Sequence, residues 1–217
     1  SPTFAAAAAV VPVLGGLFQV LTVRNYEAVK DGIDYNVSVP EVDAGGALTE
    51  AVNAEIQKRV DAHLAQAQAD WDAYKEAFLA TGGTEEEFEQ KNIQVDVNYE
   101  ILSETEDRVS FVLRAAESDI SAGKEIVYYN LDLATGQVLT LEDVLGEDWV
   151  NICNSSIQEQ MAENTDVSYF SEDQGGFTTV DENTSFYLDE DGSVVVVFPK
   201  YSIAPGAYGE QTFRIDA

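Results

Sequence analysis

Apolar and polar residues alternate along several stretches of this chain, and the alternation predicts its strands. Tyr35, Val37 and Val39 alternate with Asp34, Asn36 and Ser38, which is typical of a strand with one buried face. Similar stretches recur in pairs, separated by short polar or Gly-containing segments. The predicted hairpins pair residues 20–27 with 33–39, 93–102 with 109–114, and 125–133 with 138–141.

A fourth hairpin is predicted near the C-terminus. Residues 186–188 and 194–198 are apolar runs, and the turn between them ends in Gly192, which tolerates a positive φ. The four consecutive valines at 194–197 predict a strand covered on both faces, because a half-exposed strand would alternate. Pro199 is expected to end this strand.

Helical periodicity is strongest over residues 47–80, where apolar residues recur at steps of four and three. Gly82 and Gly83 should end this helix, and Thr84 with Glu87 predicts a capping box. A shorter helix is predicted from Trp149 to Met161. The expected fold is α+β: a mostly antiparallel sheet built from hairpins, with the long amphipathic helix and the shorter helix of the C-terminal half packed on it.

The N-terminal segment carries no charged residue from position 4 to position 23. Its length alone would allow a membrane span, but Pro12, Gly15 and Gly16 interrupt the run and no basic cluster precedes it. We therefore expect two short helical pieces, the first over residues 3–11, with their apolar faces packed on the domain.

Composition limits the kind of partner this chain can bind. Its 217 residues are 45% hydrophobic, which is enough for one large domain or two small ones. The formal net charge is −29, so the protein should repel nucleic acid and favour cationic partners. The simpler alternative is an acidic surface that only keeps the protein well solvated.

Residues able to support catalysis or metal binding are few. Cys153 and His63 are the only cysteine and histidine, so neither an internal disulfide nor a zinc site is expected. We predict that Cys153 is buried in the shorter helix and that His63 lies half-buried or exposed on the long one. The acidic segment 189–192 lacks the spacing of a calcium loop and is interpreted as a hairpin turn. We expect no cofactor, no metal, no catalytic residue and no enzyme activity.

The loop after the valine strand is the best candidate for binding a partner. It is rich in Gly and Pro and carries Tyr201, Ile203, Pro205, Gly206 and Tyr208. Tyrosine offers a large contact area with few torsions to restrict, and tyrosines are frequent in binding surfaces. Alternatively, Tyr201 and Ile203 complete the core and the glycines only form turns. Tyr208 is the preferred contact residue.

Three segments resemble a known family. The C-terminal hairpin is followed by F-x-K-Y-x-I-A-P-G-x-x-G at residues 198–209, and residues 130–145 read NLDLATGQVLTLEDVL. Together with residues 1–28, they resemble the extracellular domain of RsiV-type anti-sigma factors, the lysozyme-sensing membrane proteins of Gram-positive bacteria. A related module accompanies some peptidoglycan deacetylases.

The resemblance implies one extracellular sensor-like domain over residues 1–217. Within it, an N-terminal helical segment (1–21) precedes a deacetylase-associated-type module (22–120) and an anti-sigma-factor-type module (126–217). The membrane anchor is expected before Ser1, which places the domain on the extracellular face of the cell membrane. A cytoplasmic region outside this sequence would bind the sigma factor.

Two functions follow from the resemblance. In the first, the domain binds a cationic protein such as c-type lysozyme, and binding controls proteolysis near the N-terminus. Ala5, Ala7 and Ala9 fit the small-residue pattern that a signal peptidase accepts in an extended segment, and a helix would hide them. A packed helix without regulated cleavage is the alternative for these alanines. In the second function, the chain is a cell-wall module that binds peptidoglycan beside a deacetylase.

Overall fold

The computed structural model describes residues 19–43, 46–118 and 120–216. The helix predicted for residues 3–11 and the alanines Ala5, Ala7 and Ala9 lie outside these ranges. The strands are β1 (Gln19–Lys30), β2 (Ile33–Asp43), β3 (Ile93–Glu104), β4 (Arg108–Glu117), β5 (Ile120–Asp132), β6 (Gln137–Val138), β7 (Ser185–Leu188), β8 (Val194–Phe198) and β9 (Gln211–Ile215). The helices are α1 (Gly46–Ala80), α2 (Glu85–Glu89), α3 (Leu141–Leu145) and α4 (Trp149–Glu163), with 3₁₀ turns at Glu172–Gln174 and Gly206–Tyr208.

The first six strands form one mixed sheet in the order β1-β2-β3-β4-β5-β6. The α+β class predicted from the sequence is confirmed, and the hairpin of β1 and β2 is antiparallel as expected. Strands β2 and β3 are parallel, with Ile33 opposite Ile93. Parallel neighbours need a long crossover, and α1 with α2 supplies it between these strands. The hairpin pattern did not predict this parallel pair.

Helix α1 covers one face of this sheet and follows the predicted range closely. Much of its apolar stripe is buried, with Ile56 and Ala67 at 0% exposure and Trp71 at 6%, whereas Tyr74 is 44% exposed. Gly82 follows the helix with φ at 101°, and Thr84 and Glu87 form the predicted capping box at the start of α2. No helix within the described residues is both long and apolar enough to cross a lipid bilayer.

The last three strands form a second sheet, in the order β7-β8-β9. Strand β8 is central, and all four of its valines are buried as predicted. Helix α4 buries Cys153 and Ile157 in the same hydrophobic cluster that contains Phe213 and Ile215 of β9. The predicted Trp149–Met161 helix is thus confirmed, and it supports the sheet from which the candidate loop extends.

The chain divides into two compact units. One contains the described residues up to Glu100 together with Val112–Val127, and the other contains Ile101–Phe111 with residues 128–216. The long strands β3, β4 and β5 each contribute residues to both units. The single sensor-like domain over residues 1–217 stays a prediction.

Candidate functional site

The candidate binding loop, residues 199–209, connects β8 to β9 in the second unit. It begins with a turn in which the Ser202 amide donates to the Pro199 carbonyl at 3.0 Å. It ends with the 3₁₀ turn Gly206–Tyr208, closed by the Tyr208 amide donating to the Pro205 carbonyl at 3.0 Å. Two successive tight turns therefore hold the loop without regular strand pairing.

The two tyrosines of this loop are exposed. Tyr201 is 65% exposed and Tyr208 is 39% exposed. The Lys200 ammonium lies 5.1 Å from the centre of the Tyr201 ring, within cation–π range. The Tyr208 hydroxyl lies 3.5 Å from the Ser168 hydroxyl oxygen. Both rings thus present apolar area with a polar tip at the surface.

The other three predicted site residues, Ile203, Pro205 and Gly206, are buried or half-buried beneath the surface of the loop. Ile203 is 4% exposed and belongs to the hydrophobic cluster of the second unit. Gly206 is buried, and Pro205 is half-buried. The five predicted residues therefore lie in one loop, and both Tyr201 and Tyr208 are exposed. The alternative, in which Tyr201 and Ile203 complete the core, agrees with the structure for Ile203 and is wrong for Tyr201.

A second segment, residues 163–176, lies directly beside the loop. The Phe170 amide donates to the Ile203 carbonyl at 2.9 Å, which joins the two segments through their backbones. The Tyr169 ring packs 6.1 Å from the Phe213 ring of β9 and so anchors the segment to the sheet. No local pattern in the sequence of this segment indicates which other part of the chain it contacts.

The two segments together form an acidic surface. Residues 163–176 and 199–210 carry five carboxylates and one ammonium, and four of the carboxylates are exposed. The acidic residues are Glu163, Asp166, Glu172, Asp173 and Glu210, and the basic residue is Lys200. A cationic group approaching the tyrosines would be attracted by this excess of negative charge.

The acidic turn between β7 and β8 has a structural role. Arg214 of β9 binds the carboxylates of Asp189 and Asp191 and also donates to Ser193 Oγ at 2.9 Å. Hydrogen bonds from Asp189, Ser193 and Arg214 hold the pKa of Asp191 below its usual range. The hairpin-turn interpretation is confirmed, because β7 and β8 pair in antiparallel fashion on either side of this turn, with Leu188 opposite Val194.

The other two candidates from the sequence, Cys153 and His63, do not form a catalytic site. Cys153 is fully buried, and burial raises the pKa of its thiol to about 11, so it is a poor nucleophile at neutral pH. His63 is half-buried on α1, as predicted. In the ranges 19–43, 46–118 and 120–216, no three His, Cys, Asp or Glu side chains are grouped so that they could hold a metal ion.

Comparison with known proteins agrees with the resemblance in the sequence. Residues 142–217 match a family described as a protein of unknown function, DUF3298. The chain is 25% identical over 223 aligned residues to the anti-sigma-V factor RsiV of Bacillus subtilis strain 168, covering 99% of this chain and 74% of that protein.

A solved structure agrees with the fold. The crystal structure of a DUF3298 family member from Bacteroides fragilis NCTC 9343 aligns with a TM-score of 0.59 and 17% identity, covering 91% of this chain and 89% of that one. The match of residues 142–217 includes α4, the three-stranded sheet and the candidate loop. The sequence therefore matches the DUF3298 family over residues 142–217, and its resemblance to RsiV-type anti-sigma factors is confirmed.

Proposed function

We propose that this chain is the non-catalytic extracellular sensor domain of a membrane-anchored, anti-sigma-factor-like protein. It binds a cationic protein such as c-type lysozyme through the acidic surface formed by residues 163–176 and 199–210. The observation that carries this proposal is the exposure of Tyr201 and Tyr208 within that acidic surface. The similarity of the whole chain to an anti-sigma factor supports the regulatory part.

The two kinds of residue on this surface have separate roles in the proposed complex. The carboxylates attract a cationic protein over distances of about one Debye length and so raise the rate of encounter. The tyrosines then supply contact area once water is excluded, because aromatic anchors in well-packed positions carry most of the binding free energy of an interface. Charge thus governs association, and the tyrosine contacts govern dissociation.

Binding is coupled to proteolysis near the N-terminus in this proposal. Ala5, Ala7 and Ala9 precede β1, which is an edge strand and pairs with β2 from Gln19 opposite Asp43 onwards. A ligand can favour a cleavable state only by the difference between its affinities for the two states. Cleavage would release a sigma factor held by a cytoplasmic region outside this sequence.

Direct binding tests the first step. Titration of the protein with c-type lysozyme in a calorimeter should give a saturable 1:1 isotherm, and the double variant Tyr201→Ala, Tyr208→Ala should bind at least tenfold more weakly. Tyr74→Ala on α1 is a matched control, because Tyr74 is also exposed, at 44%, but lies outside this surface. Absence of heat and of any mobility shift at 100 μM of both proteins, about a hundredfold above a micromolar Kd, would remove lysozyme as the ligand.

Hydrogen exchange tests the coupling separately. Exchange of residues 3–20 is measured with and without saturating lysozyme, and faster exchange in the complex is expected if binding exposes the alanines. Unchanged exchange in a saturated, specific complex would contradict coupling through this segment and leave the binding proposal intact.

Peptidoglycan binding, the second candidate, is favoured by one feature of the first unit. The sheet face opposite α1 carries a shallow groove of about 520 Å³, whose lining includes Asp34, Asn36, Gln94 and Asp96. Carboxylates and amides can hydrogen-bond sugar hydroxyls and peptide groups. Sedimentation with purified peptidoglycan tests this function, and loss of sedimentation in Asn36→Ala, Gln94→Ala but not in Tyr201→Ala would favour it over the sensor proposal.

A further inference from the structure

A groove of about 480 Å³ lies between the end of α4 and the outer edge of β9. One side is the last turn of α4, with Gln160 and Glu163, and the other side is the chain at residues 210–213. Tyr169 also lines the groove, and the centre of its ring lies 6.1 Å from that of Phe213. The groove therefore combines a strand edge with an aromatic surface.

The backbone of Thr212 faces this groove. Gln160 donates from Nε2 to the Arg214 carbonyl at 2.8 Å, so that carbonyl points away from β8 and towards α4. Backbone groups two residues apart in a strand point the same way, so the N–H and C=O of Thr212 also point away from β8. Among the described residues, no side chain and no strand other than β8 bonds to the Thr212 backbone. Helix α4 thus closes the edge at Arg214 and leaves it open at Thr212.

An open strand edge can pair with an extended peptide, because its N–H and C=O groups are already aligned. Side chains of an added strand would alternate between two faces. Those on the Phe213 side would lie over the Tyr169 ring, which favours apolar residues, and those on the Thr212 side would stay at the surface. The groove lining carries two carboxylates, Glu163 and Glu210, and no basic group, so the surface positions favour cationic residues.

We infer that the edge of β9 binds an extended segment of a partner protein, in which cationic residues alternate with apolar ones, by adding it to the sheet as a fourth strand. The inference goes beyond the proposed function. It assigns a peptide site that depends on main-chain hydrogen bonds to Thr212 and not on the tyrosines of the loop. Charge complementarity comes from the carboxylates of the lining.

The probe is a blocked pentapeptide, acetyl-Lys-Val-Lys-Val-Lys-amide. At about 150 mM salt it should bind the unmodified protein saturably, with a Kd of roughly 100 μM, and slow hydrogen exchange of the Thr212 amide. In an antiparallel addition, the residue opposite Thr212 shares its face and is therefore a lysine. The same peptide with Nα-methylated lysines cannot donate to the Thr212 carbonyl and should bind at least fivefold more weakly. A peptide with glutamate in place of lysine should not bind.

Thr212→Pro tests the strand edge in the protein. The Thr212 N–H points away from β8, so proline removes a donor from the groove and leaves the bonds between β8 and β9 in place. The Kd of the probe should rise at least fivefold, whereas Thr212→Val keeps the N–H and should change the Kd less than twofold. Glu163→Gln should weaken binding several fold. Its matched control is Glu159→Gln, exposed on the same helix but outside the groove lining, which should leave the Kd unchanged.

Four outcomes would overturn the inference. The first is equal affinity of the probe for the Thr212→Pro and Thr212→Val proteins. The second is equal binding of the methylated and unmethylated peptides to the unmodified protein, which decides the matter even if the proline variant fails to fold. The third is absence of saturation at 2 mM peptide. The fourth is equal weakening by Glu163→Gln and Glu159→Gln, because net charge and not this groove would then attract the peptide. No measurement uses lysozyme, so the proposed function stands or fails separately.

Discussion

Asn130 donates a hydrogen bond from Nδ2 to the carbonyl oxygen of Phe186 at 2.8 Å, and both residues are buried. The Asn130 Oδ1 atom accepts from Ser110 Oγ at 2.7 Å and from the Leu188 amide at 3.2 Å. Ser103 Oγ donates to the Leu188 carbonyl. On the edge of β7 that faces away from β8, the backbone therefore forms hydrogen bonds with side chains of β3, β4 and β5. These side chains take the place of a neighbouring strand's backbone.

Asn130→Ala should destabilise the fold strongly, because it leaves the Phe186 carbonyl and Ser110 hydroxyl buried with fewer partners. Each unsatisfied buried group costs about 1–3 kcal/mol, so a loss of about 3 kcal/mol is expected in urea unfolding. Asn151→Ala is the control, since Asn151 is exposed on α4 and its loss should change stability by less than about 0.5 kcal/mol. Similar unfolding midpoints in the two variants would contradict this account.

This network shows where sequence reasoning about the fold stops. The valine run at 194–197 indicated a covered strand, and the steps of four and three indicated α1, because each pattern reports which faces of its own element are buried. Neither pattern identifies which other segment of the chain packs against its strand or helix. The parallel pairing of Ile33 with Ile93 and the bonds of Asn130 to residues beyond 180 depend on contacts distant in sequence, so they could not be read from local alternation.

The candidate site was predictable to a similar extent. Gly and Pro beside tyrosines indicated an exposed loop, and Tyr201 and Tyr208 are indeed exposed. The sequence could not decide whether the Ile203 side chain is buried or exposed, because an isolated apolar residue in a loop is compatible with both. The acidic contribution of residues 163–176 depends on the Phe170 to Ile203 backbone bond, which no local pattern encodes.

Cys153 should make the protein less stable in alkali. Burial raises the pKa of this thiol from 9.0 to about 11, so between these values the unfolded chain loses a proton that the folded chain keeps. The contribution of the Cys153 thiol to the free energy of unfolding is complete below pH 9. It declines as the pH rises towards 11, at up to about 1.4 kcal/mol per pH unit. Tyr35, whose pKa burial raises from 10.0 to about 12, adds a similar effect only above pH 10.

Urea unfolding at pH 8 and pH 10 measures how much of the loss of stability in alkali is due to the Cys153 thiol. The unfolding free energy of the unmodified protein should fall by about 1 kcal/mol more between these pH values than that of Cys153→Ala, which retains Tyr35. Equal falls would show that the buried thiol titrates normally. A thiol reagent at pH 8 should likewise react with Cys153 only as fast as the protein unfolds.

Tyr208→Ala should weaken binding and leave folding unaffected. Tyr208 is 39% exposed in a short turn, so its truncation should change the unfolding free energy by less than about 0.5 kcal/mol. Removing an aromatic anchor from an interface costs about 1–2 kcal/mol or more, which corresponds to a tenfold or greater rise in the lysozyme Kd.

Val196→Ala is the converse control for Tyr208. Val196 is 0% exposed in the central strand β8, so its truncation should lower stability by about 2 kcal/mol without removing a surface contact. A Tyr208→Ala protein that melts early and binds normally would assign Tyr208 to the core.

Association with a cationic protein should depend steeply on salt. Exposed charges are largely screened beyond about 10 Å at 0.1 M ionic strength, so steering by the acidic surface should fade between 20 and 300 mM salt. The association rate constant, measured by stopped flow, should fall at least tenfold over this range, while the dissociation rate constant changes much less.

Paired charge variants localise this effect. Glu172→Gln with Asp173→Asn removes two exposed carboxylates of the segment beside the tyrosine loop, and it should slow association at 20 mM salt by several fold. Glu50→Gln with Glu76→Gln removes the same net charge from exposed positions on α1 and should slow it less. If both pairs of substitutions slowed association equally, net charge alone would attract the partner. If the association rate constant of the unmodified protein did not change with salt, charge would have no part in recognition. Only the first pattern fits a partner that docks where the tyrosines are exposed, because steering is strongest for charges within a Debye length of the contact.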